Sequence, residues 1–484
     1  MTYESVIGLE LHAQLRTNTK IFCGCSVRFG AAPNTQTCPV CAGFPGTLPV
    51  LNATAVEYAV RMALATGCRI RRTNRFARKN YFYPDLPKGY QISQFDEPLC
   101  EAGRLDVEAN GAVRTVRIQR IHMEEDAGKT LHDQDPDASL VDLNRTGTPL
   151  IEIVTEPDMR HPSEAYAYLT KLKQILLYLE ICDGNMEEGS LRCDANVSLR
   201  RRGDDALGPK VEIKNLNSFK GVEQALDFEI ARQRAVLKAG GRVAQETRLW
   251  DPDHAETRVM RSKEEAHDYR YFPEPDLLPL VLDEAWIERV RAALPELPDA
   301  KRGRFRRAYG LGDYDAAVLT ATRPLAEYYE RSAAAGADPK RLANWIQTEL
   351  LGLLNVRGAD ISAAPITSEH LGELVRLVDD GTLSGKMAKQ VFAAMAASGE
   401  AAAVVVERLG LRQISGADAL GPVVDEILAA HPDELRRYRA GKTQLFGFFV
   451  GQVMRATRGQ ANPTELEAML RDALDDPDAT DAGA

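Results

Sequence analysis

The chain has 484 residues, with 60 Lys and Arg against 70 Asp and Glu, and a formal net charge of −10 at pH 7. Its 44% hydrophobic and 27% charged residues are typical of a folded globular protein, which excludes a mainly disordered chain. The negative net charge argues against a protein that coats nucleic acid nonspecifically. No apolar run reaches the roughly 20 residues that a membrane span requires, and the first residues lack a secretory pattern, so we expect a cytoplasmic protein outside the membrane.

The first predicted element is a strand with two different faces. Residues 6–15 alternate with a period of two, so that Ile7 and the leucines share one side while Glu10, His12 and Gln14 share the other. One interpretation is an antiparallel sheet with one face in water. The other is a binding surface, because the polar residues are carboxylates, amides and a histidine rather than the Lys and Thr usual on solvated strands. His12 is then either a hydrogen-bonded partner of the acids or a metal ligand.

A cysteine cluster follows this strand. Four of the eight cysteines fall within residues 23–41, and turn residues separate the members of each pair: Cys23, Cys25, Cys38 and Cys41. Clustered thiolates in a reducing compartment favour tetrahedral zinc, and four sulfur ligands leave no open position, so the ion would be structural. The alternative is two unrelated cysteine pairs.

A basic stretch at residues 69–79 leads directly into an aromatic loop at residues 81–90. The basic stretch contains no acid, and the loop combines tyrosines with Pro and Gly. Basic residues beside aromatic rings favour the binding of a phosphorylated or nucleic-acid ligand. An ordinary solvated face is the alternative.

Further carboxylates recur before residue 280. The strand pattern returns at residues 150–156, 191–199 and 211–214, and acids also fall in short loops predicted at 122–126 and 185–189. Carboxylates at this density repel one another unless a cation binds. Hard ions such as Mg²⁺ take oxygen ligands, often together with substrate phosphates. The sequence therefore predicts a magnesium site on the polar face of a sheet.

The composition changes near residue 280. The proline-rich residues 272–279 cannot extend a helix, and the chain beyond them is rich in Ala with a helical period. A second, softer boundary lies at residues 399–415. We expect an α+β protein, with an antiparallel sheet in residues 1–280 and all-helical modules at 281–408 and 409–484. The basic residues at 436–458 either hold an RNA backbone or serve solubility.

Two common nucleotide and amidase signatures are missing. The Gly-Lys-Thr sequence at 441–443 lacks the earlier glycine of a P-loop, since position 436 is Arg. No G-x-S-x-G elbow is present. An ATP site would therefore be of another kind, and a self-contained amidase is not expected.

Eight long segments together carry a family resemblance, among them RKNYFYPDLPKGYQISQ at 78–94 and DGNMEEGSLRCDAN at 183–196. The others are residues 7–15, 34–41, 122–129, 213–218, 260–276 and 441–451. Taken in order along nearly the whole chain, they resemble the B subunits of the bacterial and organellar aspartyl/glutamyl-tRNA(Asn/Gln) amidotransferases.

The resemblance implies a fold and an activity. It implies a cradle domain with a zinc-binding insert at 1–280, a helical domain at 281–408 and a tRNA-binding tail domain at 409–484. The activity is phosphorylation, with ATP and Mg²⁺, of the side-chain carboxylate of Glu-tRNA(Gln) or Asp-tRNA(Asn). In the implied heterotrimer, an amidase subunit supplies ammonia from glutamine, and a small third subunit braces the other two. Structural zinc is implied as well, although some members lack the cysteines.

The resemblance and the spacing also nominate site residues. By resemblance, Mg²⁺ is held by Glu10, His12 and Glu125. Spacing adds the acids Glu124, Glu152, Glu188 and Asp194, and Lys79 and Lys214 are candidates for phosphate contact. Candidate contacts to the aminoacylated RNA are Tyr81, Tyr83, Lys88, Tyr90, Arg436, Arg437 and Lys442.

Two other hypotheses remain open at this point. One is a tRNA-binding scaffold whose acidic face holds only a structural Mg²⁺ ion. The other is the archaeal Gln-specific relative, which carries a large inserted domain for which 484 residues leave little room.

Overall fold

This computed structural model describes residues 2–131, 135, 137–262 and 268–475. Residues 263–267, part of one segment that carries the resemblance, and residues 476–484 of the predicted tail domain lie outside the described residues. The strands of the described part are β1 (Tyr3–Gln14), β2 (Arg69–Ile70), β3 (Thr73–Asn74), β4 (Ala77–Asn80), β5 (Tyr90–Ser93), β6 (Cys100–Ala109), β7 (Ala112–Glu125), β8 (Lys129–Leu131), β9 (Leu140–Asp142), β10 (Pro149–Thr155), β11 (Leu191–Arg201), β12 (Val211–Leu216), β13 (Glu246–Asp251), β14 (Glu256–Ser262), β15 (Phe272–Pro273) and β16 (Leu280–Val281). Its α-helices are α1 (Ala53–Ala65), α2 (Pro162–Tyr178), α3 (Phe219–Lys238), α4 (Glu284–Ala292), α5 (Pro298–Tyr309), α6 (Asp313–Leu319), α7 (Arg323–Ala333), α8 (Pro339–Trp345), α9 (Leu351–Arg357), α10 (Ser368–Asp379), α11 (Gly385–Ser398), α12 (Ala402–Leu409), α13 (Ala417–Ala430), α14 (Pro432–Arg439), α15 (Phe446–Ala456) and α16 (Pro463–Asp475).

The largest sheet has nine strands in the order β14-β13-β12-β11-β1-β10-β7-β6-β2. Neighbouring strands run antiparallel, except that β12 and β13 are parallel. The first strand of the chain is therefore the middle strand of the sheet. With helices making up the C-terminal part, this arrangement confirms the predicted α+β class.

One face of the large sheet packs against helices α1, α2 and α3. From the middle strand, Ile7, Leu9 and Leu11 are buried in the core that these helices share. Removing each such side chain from water stabilises the fold by about 1.5–3 kcal/mol. Since successive strand residues point to opposite faces, Glu10 and His12 lie on the other, polar face, as the alternation predicts.

The prediction of a loop at residues 122–126 is wrong for most of these residues. Residues up to Glu125 form the end of β7, a 14-residue strand paired with β10. The buried Ile121 and Met123 alternate with His122 and Glu124, so the period of two continues through the acids. Strand pairing outweighs the low strand propensity of the glutamates. The loop predicted at 185–189 is confirmed as turns.

The chain divides into two compact units, Met1–Pro298 and Asp299–Ala484. The second unit is helical and has two hydrophobic cores, one built around Phe305 and Tyr329 and one around Leu428 and Phe449. A π-helix at Ile346–Leu350 joins α8 to α9. The domain boundaries expected near residues 280 and 408 stay predictions.

Among the described helices, none is by itself long and apolar enough to cross a membrane. The pair α11 and α12, bent by 112°, meets those requirements by length and composition taken together. Val391 and Val405 of this pair are buried in the first core of the second unit.

Candidate active site

The register of the middle strands sets histidines and a glutamate side by side. His12 of β1 lies opposite Glu152 of β10, and Glu152 lies opposite His122 of β7. On the other side of β1, Glu10 lies opposite Asp194 of β11. Directly paired residues of adjacent strands point to the same face. These five side chains therefore gather on the polar face.

On this face, each of two histidines lies close to the same two glutamates. His12 Nε2 lies 3.3 Å from Glu152 Oε2 and 3.5 Å from Glu124 Oε1. His122 Nε2 lies 3.4 Å from Glu152 Oε2 and 3.8 Å from Glu124 Oε2. Burial opposes ionisation, but His122 and His12 hold the pKa of Glu152 well below its usual range. Burial likewise opposes the charge on His122, yet Glu152 and Glu124 raise its pKa to about 9.

A second group on the same face contains Glu10, His12 and Glu152. One ligand atom from each lies within 4.8 Å of the others. Burial and the neighbouring Glu152 raise the pKa of Glu10, so negative charge is in excess here. A divalent cation would relieve that repulsion. Two carboxylates and an imidazole, with room for water or phosphate oxygens, are a donor set that fits Mg²⁺.

Two lysines flank the acids. Lys214 of β12 forms ion pairs with Asp194 and with Glu212, the latter at 3.3 Å. Lys79 of β4 has its ammonium 5.0 Å from the ring centre of Tyr269. Within the described part of the chain, no carboxylate oxygen lies within 4.0 Å of Lys79. Despite burial, Glu124 and other neighbours raise the pKa of Lys79, so its ammonium stays positively charged.

Glu125 makes different contacts from its neighbour Glu124. Its carboxylate pairs with Lys88 and accepts a hydrogen bond of 2.8 Å from the backbone N–H of Ile92. Among the described residues, Glu125 belongs to neither acidic group, and the exposed Glu188 in loop 185–189 also lies outside both. The structure thus brings Glu10 and His12 together with Glu152 and Glu124, and engages Glu125 with Lys88.

The aromatic loop is partly anchored and partly exposed. The Tyr81 hydroxyl donates to Gln91 Oε1 at 3.1 Å. Tyr90 lies under the guanidinium of Arg78, whose carbon is 4.1 Å from the ring centre. Tyr83 is exposed at the tip of the loop. A base or a ribose has aromatic surface to contact here.

The four clustered cysteines converge as the zinc prediction requires. Their sulfur atoms lie within 4.8 Å of one another: Cys23, Cys25, Cys38 and Cys41. The Sγ atoms of Cys38 and Cys41 are 3.9 Å apart, close to the about 3.8 Å expected for two sulfurs at about 2.3 Å from a tetrahedral ion. The Cys23 thiol and Lys20 help lower the pKa of Cys41 to about 4. These contacts favour the thiolate form that a metal ion binds.

Two residues beside these sites were not identified from the sequence. Lys20 is 1% exposed, and its ammonium donates to Cys41 Sγ at 3.4 Å and to the Leu143 carbonyl at 3.2 Å. His122 joins the histidine–glutamate group. Its alternation with Met123 and Glu124 was the available signal, and the predicted loop obscured it.

The predicted RNA contacts near the C-terminus lie in the second unit. Arg437 follows Arg436 on α14, and Lys442 lies just beyond that helix. All three are exposed, and Arg436 pairs with Asp433. Exposed cations of this kind suit a phosphate backbone.

Comparisons with known proteins agree along the length of the chain. Residues 5–288 match the family model described as the GatB/GatE catalytic domain, and residues 327–474 match the model described as the GatB domain. Among the aspartyl/glutamyl-tRNA(Asn/Gln) amidotransferase B subunits, that of Solidesulfovibrio magneticus is 57% identical over 472 residues, covering 98% of this chain and 99% of the relative. The proteins of the same name from Geobacter sulfurreducens and Geotalea uraniireducens are 57% identical over 477 residues and 58% identical over 473 residues. They cover 98% and 97% of this chain, and 100% and 99% of their own lengths.

Proposed function

Because the chain belongs to the family of aspartyl/glutamyl-tRNA(Asn/Gln) amidotransferase B subunits, we propose that it activates the side-chain carboxylate of Glu-tRNA(Gln), Asp-tRNA(Asn) or both. It does so with ATP, as part of a heterotrimeric amide-forming ligase in the cytoplasm. Its partners in this proposal are an amidase, which releases ammonia from glutamine, and a small bracing protein. The near-complete overlap with relatives of this name supports the assignment.

The chemistry requires activation because a carboxylate is a poor electrophile. A side-chain oxygen attacks the γ-phosphorus of ATP, the bond to the β–γ bridging oxygen breaks, and ADP leaves. Ammonia then attacks the acyl carbon of the resulting acyl phosphate and loses a proton, and inorganic phosphate departs. Phosphoryl transfer of this kind depends mainly on positioning and on neutralising charge.

The polar face offers residues for both tasks. We assign Glu10, His12 and Glu152 to hold Mg²⁺, which when bound supplies positive charge beside the transferring phosphoryl group. Lys79 provides a cation near Glu124 and Glu152 for a phosphate or the substrate carboxylate. Lys214 restrains Asp194 beside Glu10.

We assign two roles to Glu125. The resemblance implies that it holds Mg²⁺, and both Lys88 and the N–H of Ile92 contact its Oε1. A ligand role through Oε2 therefore does not require the ion pair with Lys88 to open. Through Oε1, Glu125 also fixes Lys88 at the edge of the site.

We assign the other predicted residues to substrate binding or to a structural zinc site. We assign Tyr81, Tyr83 and Tyr90 to the aminoacylated end of the RNA, because the loop combines anchored rings with an exposed one. The basic residues of the second unit contact the RNA backbone: Arg436, Arg437 and Lys442. Structural zinc at the four cysteines holds the loop that carries them.

The convergence of Glu10, His12 and Glu152 on one face carries this proposal, and Glu10→Gln tests it. In the complex with the amidase and the small partner protein, we expect tRNA-dependent ADP formation to fall by about 10²–10³-fold, because one charged ligand is lost. The affinity for tRNA stays at the wild-type level. Since the ionised form of Glu10 is disfavoured in the metal-free protein, its melting temperature should not fall.

The matched control is Glu256→Gln, which removes an exposed carboxylate on β14. It should leave both ADP formation and tRNA affinity unchanged. Persistence of ADP formation in Glu10→Gln, with tRNA still bound, would instead support a scaffold with a structural ion.

A further inference from the structure

A second cavity lies at the opposite end of the middle strand from the acidic groups. It has a volume of about 620 Å³ and lies among the start of β1, the start of α2 and the middle of α3. Glu4 in its wall is eight positions from His12, which is roughly 26 Å along an extended strand. The cavity is therefore separate from the candidate active site.

Arginines from four different segments line this cavity: Arg114 of β7, Arg160 before α2, Arg202 after β11 and Arg234 of α3. The carboxylates in its wall are Glu4 and Asp227. Positive charge is thus in excess on the lining. No single stretch of sequence contains this grouping, and only the tertiary fold creates it.

The arginines differ in how far their charge is neutralised. Arg114 Nε lies 3.2 Å from Glu164 Oε1. Arg160 donates to two carbonyl oxygens, of Pro157 at 2.8 Å and of Met159 at 3.0 Å, and so gains no counter-charge from them. Burial and the nearby Arg200 lower the pKa of Arg160, as expected where cations crowd together.

Arg202 and Arg234 are the two cations best placed to receive a ligand. Both are exposed, and within the described part of the chain neither guanidinium donates a hydrogen bond or lies within ion-pair distance of a carboxylate. Glu4, the nearest acid on β1, is already held by Arg200 at 2.6 Å. Two guanidinium groups thus border an open volume with their donors available.

We propose that this cavity binds the phosphate groups of a ligand, which is either the backbone of the substrate RNA or a small polyphosphate. The planar donor fork of Arg matches phosphate oxygens in pairs. The volume falls in the range of sites for small ligands, and Tyr3 with Ile230 offers an apolar wall beside the cations. The RNA source rests on the proposed function, whereas the polyphosphate source does not.

The test is the double variant Arg202→Gln/Arg234→Gln in the full-length chain, alone and in the complex with the amidase and the small partner protein. Both side chains are exposed and without partners among the described residues, so the melting temperature should not change. Calorimetric titration with inorganic pyrophosphate in EDTA measures the cavity while the acidic groups hold no Mg²⁺. Filter binding across a salt series measures tRNA.

If a small polyphosphate is the ligand, the double variant should lose pyrophosphate affinity by at least about tenfold. If RNA is the ligand, pyrophosphate binding is weak in both proteins, and the negative slope of log affinity against log salt for tRNA should decrease in magnitude by about 1.5. The matched control, Arg289→Gln/Lys386→Gln, removes two exposed cations elsewhere and should change neither quantity.

Unchanged affinity for both ligands would overturn the proposal, as would dissociation of a partner protein with ligand affinities intact. The latter result would mean that the arginines hold that partner. The pyrophosphate titration needs neither ATP turnover nor amidation. A failure of the proposed function would therefore appear in the Glu10→Gln assay and not in this titration.

Discussion

At the scale of single residues, the buried charge of Lys20 favours a negatively charged metal cluster at the four cysteines. Its ammonium is 1% exposed and contacts Cys41 Sγ and a backbone carbonyl. A buried ammonium is costly unless a counter-charge accompanies it. Zinc bound by four thiolates would carry a net charge of about −2, and Lys20 would offset part of that charge inside the fold. The lysine and the proposed zinc ion would then stabilise each other.

Lys20→Met should weaken zinc binding by about 10–100-fold, which is typical for loss of a hydrogen bond to a metal ligand. The measurement is the transfer of zinc from the purified chain to a chromogenic chelator, with cobalt absorption as a second readout. Lys129→Met, which removes an exposed lysine of β8, serves as the control and should release zinc at the wild-type rate. Equal release by both variants would contradict the role given to Lys20.

At the scale of secondary-structure elements, the end of β7 separates two adjacent glutamates. Alternation along the strand sends Glu124 to the polar face with the histidines, while Glu125 contacts Lys88. Both carboxylates are 2% exposed, so burial does not distinguish them. Their partners do, and they give the two acids different physical tasks.

Glu125→Gln should lower the free energy of unfolding by up to about 3 kcal/mol, because Lys88 keeps a buried charge without its partner. Urea denaturation of the metal-free chain measures this loss. The double variant Lys88→Met/Glu125→Gln should recover most of it. Unchanged stability in Glu125→Gln, combined with loss of Mg²⁺ affinity, would show instead that Glu125 is a metal ligand, as the resemblance implies.

The strand faces could be predicted from the sequence, but the neighbours of each strand could not. Alternation in β1 correctly assigned Glu10 and His12 to one polar face, because the period of two is local. That Glu152 meets His12 depends on pairing between β1 and β10, which are more than 100 residues apart, and His122 joins them through the pairing of β7 with β10. The cysteines were grouped correctly, because short spacing keeps the members of each pair close, although the meeting of the two pairs depends on the loop between them. The contact between Lys20 and Cys41 comes from tertiary folding.

At the scale of the whole molecule, the acidic groups and the basic patch of α14 lie in different units, whereas the arginines around the second cavity lie in the same unit as the acidic groups. The acidic groups are all in the unit Met1–Pro298, and the exposed cations of α14 are in the unit Asp299–Ala484. A net charge of −10 therefore coexists with local basic surfaces. Charges on a surface act over about 8–10 Å at physiological salt, so each patch acts on what touches it.

This separation predicts that RNA affinity can be changed without changing the chemistry. In Arg437→Gln/Lys442→Gln, the negative slope of log tRNA affinity against log salt should decrease in magnitude by about 1.5, since two proposed phosphate contacts are lost. Filter binding measures the slope, and ADP formation at saturating tRNA should remain at the wild-type rate because no residue of the acidic groups changes. Lys386→Gln on α11 removes an exposed cation outside this patch and should leave the slope unaltered. A double variant with the wild-type slope would place the RNA on another surface of the chain, and the arginines around the second cavity would then be the next to test.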